Sequence, residues 1–326
     1  RDAQESRGLG DVYKRQFKGG EKIMAATTRW RDTVSENINT AIDSLIDDVI
    51  SDEKVTNITW DNWNLSKAFE TNQTMLLNSK NVEYNYIKYS YDQTTAGDVY
   101  VEDRVVKREG FIITYTTGSG INYIIDQNSS AQKLLRRLLS YSKKNEIERN
   151  SFDFSNDFFI WLIYRVYNSN YNIEIAPDEK SLKLDAIKGF KGDTEDMQTK
   201  VSASGETVMN IISTLSFLLE SSNLNQVKLD LNYTGHSNIS LVLQKGTVNA
   251  LLDDYSGSFE QEEVPEQKTA KLYLTVYLEI LPLLFQEYNT DIGNELWNKD
   301  VYIEFMKNVG ETLTEKIQNK ISSLDN

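Results

Sequence analysis

The sequence predicts an α+β protein in which antiparallel sheets are accompanied by segregated helices and the chain closes on a C-terminal helical pair. Three observations predict it. Short β-prone runs alternate between Val82 and Asp126 and return through 172–252. Segments with apolar residues at helical spacing separate and follow those runs. Strands and helices come in blocks, without the βαβα rhythm that builds a parallel sheet.

Residues 27–51 read as an amphipathic helix capped by Thr27 or Thr28, since Trp30, Val34, Ile38, Ala41, Ile42, Leu45, Ile46 and Val49 recur at helical spacing. A short helix is expected over 65–78. The alternation then passes through Tyr84, Tyr86, Val99, Val101, Val105, Ile112, Ile113, Tyr115, Tyr123 and Ile125, broken at Thr95–Gly97, Glu109-Gly110 and Gly118-Ser119-Gly120. That describes an antiparallel meander. Helices follow over 129–144 and 156–168; the text of the second, FFIWLIYRVY, is apolar nearly all round and so belongs in a core. Strands are expected over 172–176, 181–189 and 196–203. A helix then carries Val208, Ile211, Ile212, Leu215, Leu218 and Leu219 on one face. A hairpin of 226–233 and 238–244 turns across Thr234–Ser237, and 247–252 folds back after Gly246. The acidic, turn-rich stretch 253–267 reads as an exposed linker, before helices over 268–289 and 296–322. The apolar run Leu272–Phe285 contains Glu279 and Pro282, which suits a buried, kinked helix rather than a membrane span. The expected organisation is an N-terminal α+β region 24–170, a strand-rich region 171–252 with one central helix, the linker, and C-terminal helices 268–326 packing on the rest.

At 326 residues the chain is long enough for a large core, and its composition, 39% hydrophobic and 26% charged with mean hydropathy −0.50, is that of a globular protein. The absence of cysteine removes disulfides, zinc–thiolate sites, iron–sulfur clusters and thiol nucleophiles. The single histidine, His236, reads as an exposed hairpin-loop residue and makes a histidine-dependent triad improbable. Neither a transition metal nor a cofactor is expected. The net charge of −14 disfavours attraction to polyanions by the chain as a whole.

Arg1–Gln16 resembles adapter sequence read through as protein at the ends of metagenomic translations. Lys18-Gly19-Gly20 fits a ribosome-binding sequence ahead of Met24, so residues 1–23 are expected to be a non-native leader and the source a bacterium. From Met24 onward no signal-peptide pattern appears, which gives a cytoplasmic expectation.

Two basic features are candidate sites. On helix 129–144, Leu134, Leu135, Leu138 and Leu139 cluster on one side, with Lys133, Arg136, Arg137, Lys143 and Lys144 on the other. The window 133–149 holds six basic residues against two acidic ones, a local net of +4 in an acidic chain. Such a face suits a phosphate or an acidic partner, though solvated faces that pair with the chain's own carboxylates are commoner. The second is Lys188-Gly189-Phe190-Lys191-Gly192, read as a bend whose lysines and aromatic meet a phosphate or base, or whose Phe190 turns inward. Trp60, Trp63 and the tyrosines from Tyr84 to Tyr91 suit stacking on sugars or bases, with strand packing the plainer account.

These features point to a non-enzymatic binding or assembly component that meets a protein partner, or nucleic acid, through its basic residues, without a membrane. A carboxylate-metal nuclease or phosphodiesterase using Asp178, Asp185, Asp230 and Lys180 is the first alternative. The second is a structural subunit that docks through its C-terminal helices, since from Asp253 onward 15 acidic residues face 6 lysines.

Overall fold

The computed structural model describes residues 26–47, 59–168, 172–175, 180–194, 200–204, 216 and 218–324. Within them the chain is α+β, with two antiparallel sheets. The first contains β1 (Thr28–Asp32), β2 (Thr59–Lys67), β3 (Gln73–Leu77), β4 (Lys80–Thr94), β5 (Val105–Thr116), β6 (Ile121–Ile125) and β7 (Ile147–Arg149), in the order β2-β4-β5-β6-β1-β7 with β3 also on β4. The second contains β8 (Asn172–Ile175), β9 (Lys180–Thr194), β10 (Lys200–Ser204), β11 (Ser221–Tyr233), β12 (His236–Gln244) and β13 (Thr247–Ala250), in the order β10-β9-β11-β12-β13 with β8 also on β9. Thr27, one residue before β1, exchanges backbone bonds with Val248 of β13 at 2.7 and 3.0 Å and so joins the sheets.

The first sheet is buried on both faces because its strands alternate two apolar sets. On β4, Val82, Tyr84 and Tyr86 point one way and Ile87, Tyr89 and Tyr91 the other. The second set packs under α1 (Ile38–Ile46) and α2 (Ala131–Leu138). The first set shares a larger core with the inner face of the second sheet and with α3 (Asn156–Tyr167), α4 (Pro265–Thr275), α5 (Leu281–Gly293) and α6 (Lys299–Ser322). The outer face of the second sheet is polar, carrying Lys183–Asp185, Lys188–Asp230 and Lys228–Asp254 at 3.2, 3.3 and 3.5 Å.

Several expectations are corrected. The helix expected from residue 27 begins at Ile38, where Asn37 accepts the Thr40 N–H at 2.9 Å. Residues 28–32 are a strand: Thr28, Trp30 and Asp32 are buried at period two, and β6 and β7 flank them. The helix expected over 65–78 is replaced by the end of β2 and by β3, strands whose ladders lie along β4. The helix over 129–144 stops at Leu138, because Ser140 takes a left-handed φ of 57°, and a 3-10 turn over Lys144–Glu146 follows. Of the helix expected through Leu219, most lies outside the described residues, as do 1–23 and Asp178.

α3 and the C-terminal helices follow their sequence closely. Ser155 caps α3 through the Phe158 N–H at 3.0 Å, and Asn298 caps α6 through those of Asp300 and Val301 at 2.9 and 3.0 Å. Between α4 and α5 the chain makes one π turn, Val276–Ile280. Pro282 has no N–H for the Leu278 carbonyl, and Asn78 of the β3–β4 turn donates to that carbonyl instead, at 3.0 Å. The acidic residues ahead of α4 are largely exposed, but their segment is held down: Tyr255 is buried and Ser256 bridges to Asn238. No helix among the described residues is long and apolar enough to cross a membrane.

Candidate functional site

α2 turns Leu134, Leu135 and Leu138 onto the first sheet, which leaves Lys133, Arg136 and Arg137 off the core. The chain itself engages this basic face. Lys133 Nζ stands 4.6 Å from the centre of the Trp60 ring, a cation–π contact. Arg136 donates to the Ser142 carbonyl and closes the turn after the helix. Arg137 is half-buried, and burial lowers the pKa of its guanidinium. Lys143 and Lys144 are exposed.

The second candidate is not a loop. Lys188–Gly192 lies inside β9, where the pairing with β11 skips Asp185 and Lys188. Each skipped residue is a bulge that shifts the strand's phase by one, so Leu184, Ile187 and Phe190 all face the core. Phe190 is therefore buried, Lys188 pairs with Asp230 at 3.3 Å, and Lys191 alone of the three is exposed. β9 lies across the shared core from the first sheet, and α2 covers that sheet's other face, so the two basic groups do not meet.

The carboxylates do not converge either. Asp185 pairs with Lys183, Asp230 accepts from Ser240 at 2.6 Å, and Lys180 is 2.5 Å from Glu279. Among the described residues no three His, Asp or Glu side chains form a group that fits a metal. Trp60, Trp63 and Tyr91 pack on one another, Trp63 and Tyr91 stacking at 4.4 Å. His236 is corrected from an exposed loop residue to a buried one that opens β12. Its Nδ1 is 2.7 Å from the Tyr255 hydroxyl, Phe259 packs on its ring, and burial lowers its pKa. A Cβ on Gly257 would stand 2.7 Å from His236 Cα, so the glycine is what lets the chain close over this ring.

Besides the exposed lysines, the surface also carries an apolar cluster. The β4–β5 hairpin runs past the core, and its tip exposes Val99, Tyr100 and Val101 by 61%, 84% and 55%. Val105 and Val106 are exposed beside them. The tip is braced from within: Arg104 donates from Nη1 to the Thr95 carbonyl at 2.6 Å and from Nε to that of Val99 at 3.1 Å. A 3-10 turn over Val101–Arg104 replaces the strand that the valines suggest.

No protein-family model and no curated protein matches the chain. The geometry alone therefore ranks the surfaces, and the braced tip stands first. Sequence reading missed it because alternating valines and a tyrosine look like buried strand. The signal was the acidic residues among them, Asp98, Glu102 and Asp103, which a two-sided buried strand does not carry.

Buried acids were also missed, among them Asp126 and Glu279, and the first gives a pH prediction. Asp126 Oδ1 accepts from the Tyr89 hydroxyl at 2.7 Å and from the Phe111 N–H at 2.9 Å, yet burial pushes its carboxyl up to about 6 from the ordinary 3.8. The folded state thus holds this proton more tightly than the unfolded chain. Its contribution opposes folding above pH 6 and is relieved as pH falls from 6 to 4, a span of roughly 3 kcal/mol. Asp126→Asn is expected to match or exceed the wild type's stability at pH 7.5 and to lose that part of the acid-side gain. Denaturant midpoints of both proteins between pH 4 and 7.5 check it. The difference between them cancels the opposing titration of His236, and a constant difference across the window would refute the assignment.

Proposed function

We propose that the chain is a non-enzymatic protein-binding or assembly component, working in the bacterial cytoplasm, that engages its partner through the β4–β5 tip. The exposure of Val99, Tyr100 and Val101 on an internally braced hairpin carries this reading. Contiguous exposed apolar side chains rimmed by charge mark interaction surfaces. An ordered tip also loses little conformational freedom on binding. Tyr100 is the natural anchor, since aromatic residues concentrate binding energy where they are desolvated.

The test is a photo-crosslinking residue in place of Tyr100, with the same residue in place of Lys191 as a control on the polar sheet face. The chain is co-expressed with the products of its neighbouring genes. One discrete adduct from position 100 that position 191 does not give is the expected result. Equal background from both positions would overturn the reading.

A second reading rests on one observation, that Lys143 and Lys144 are exposed at the end of the basic segment. If they contact phosphate, binding of DNA or RNA falls steeply with salt and is lost on charge reversal at both.

A further inference from the structure

A second apolar surface that no described residue covers lies on α6. α6 is anchored over its first half, where Phe305 and Val309 are buried and the Thr312 hydroxyl meets that of Tyr167 at 2.7 Å. Beyond Leu313 the helix leaves the core. Ile317, Ile321 and Leu324, in the last turns and the closing turn, are 43%, 54% and 74% exposed. Their spacing of four and three residues puts them on one stripe. Lys316 and Lys320 flank the stripe on one side, and Glu315 falls on the opposite face of the helix.

The tip and the stripe are complementary. Each has an apolar centre: the tip's, over 98–104, is rimmed by Asp98, Glu102 and Asp103 against the single guanidinium of Arg104, a net of −2, and the stripe's is flanked by two lysines. Both are exposed in the folded chain, so neither covers the other within one copy. We propose that the tip of one copy seats on the α6 stripe of a second copy, in a head-to-tail contact. The proposal rests on the protein-binding reading above and names its partner. Such a contact is heterologous: every pair leaves one tip and one stripe unused, so assembly continues until it closes into a ring or grows as a filament. The surfaces are small, which makes the contact weak and dependent on concentration.

The experiment is sedimentation of the purified chain, alone, over a hundredfold range of concentration. The wild type is expected to rise from its monomer mass of 37.5 kDa through successive multiples. Tyr100→Asp and Ile321→Asp, both at exposed positions, are each expected to bind at least tenfold more weakly and to sediment as monomers. Their equimolar mixture is expected to restore a species of two chains and nothing larger, because it retains one intact tip and one intact stripe. A wild type that stays monomeric, variants that associate as it does, or a mixture that stays monomeric while the wild type assembles would each overturn the proposal. A monomeric wild type that still gives a discrete adduct from position 100 with another protein leaves the binding reading standing and removes only the second copy as partner.

Discussion

Replacing Gly110 with alanine is expected to destabilise the fold by about 3 kcal/mol or more. Gly110 sits in β5 directly opposite Tyr89 of β4. The space where its side chain would be is taken: an added Cβ would stand 2.3 Å from Asp126 Oδ1 and 2.4 Å from the Tyr89 hydroxyl. Neither group is free to yield. The Tyr89 hydroxyl donates to Asp126 and accepts from Gln127 Nε2 at 3.0 Å, while Gln127 is held by Ser130 through its side chain and by Thr28 through its carbonyl. Alanine must therefore push a desolvated carboxyl off its donors or part the ladder between β4 and β5. Gly118→Ala is the control. Gly118 has a left-handed φ of 91° with nothing within 4 Å of a built Cβ, so its replacement carries only the backbone cost, about 1 kcal/mol. Urea denaturation of the two variants checks the ranking, and a Gly110→Ala loss no larger than that of Gly118→Ala would refute the packing argument.

The parts of the fold that were legible are those written locally. Residues 156–168 are apolar all round and form the buried α3, and the hairpin turn at Thr234-Gly235 follows from the turn residues themselves. Pro282 inside the apolar run correctly marked an irregular buried helix, although the form it takes, a π turn completed by Asn78, depends on a residue two hundred positions away. The strand Thr28–Asp32 was illegible for a different reason. Over five residues a period of two and a period of 3.6 share too many positions, and the following helix supplied the remaining matches. Phe190 was ambiguous because two bulges convert the alternation of β9 into a spacing of three, and bulges depend on the partner strand. The surroundings of the basic helix were illegible because charge pattern shows which residues leave the core but not what they touch. Trp60 and the Ser142 carbonyl, which engage Lys133 and Arg136, lie outside the helix.

Glu279→Ala is expected to be the most damaging truncation of a polar side chain, at about 3–5 kcal/mol. Glu279 lies in the π turn with only 3% of its surface exposed, and three parts of the molecule converge on it. Oε1 accepts the Asn78 backbone N–H at 2.7 Å from the first sheet and lies 2.5 Å from Lys180 Nζ at the start of β9. Oε2 accepts the Tyr233 hydroxyl at 2.9 Å from the end of β11. Burial, and then the carboxylate itself, pushes the Tyr233 pKa upward, so that hydroxyl stays protonated and keeps donating. Alanine removes the acceptor for all three donors and leaves a cavity where the sheets and the helical layer meet. Lys180 is about a quarter exposed and can turn to water, so its own truncation costs less than that of its partner. The measurement is a double-mutant cycle by urea denaturation with Glu279→Ala, Lys180→Met and both together. Lys180→Met alone leaves a buried carboxylate without its counter-charge, whereas in the Glu279→Ala background the same change removes a lysine that has already lost its partner. The combined loss is therefore expected to fall short of the two single losses added together, by at least 1 kcal/mol. Full additivity, or a loss below about 1 kcal/mol for Glu279→Ala, would show that the sheets are held together without this carboxylate.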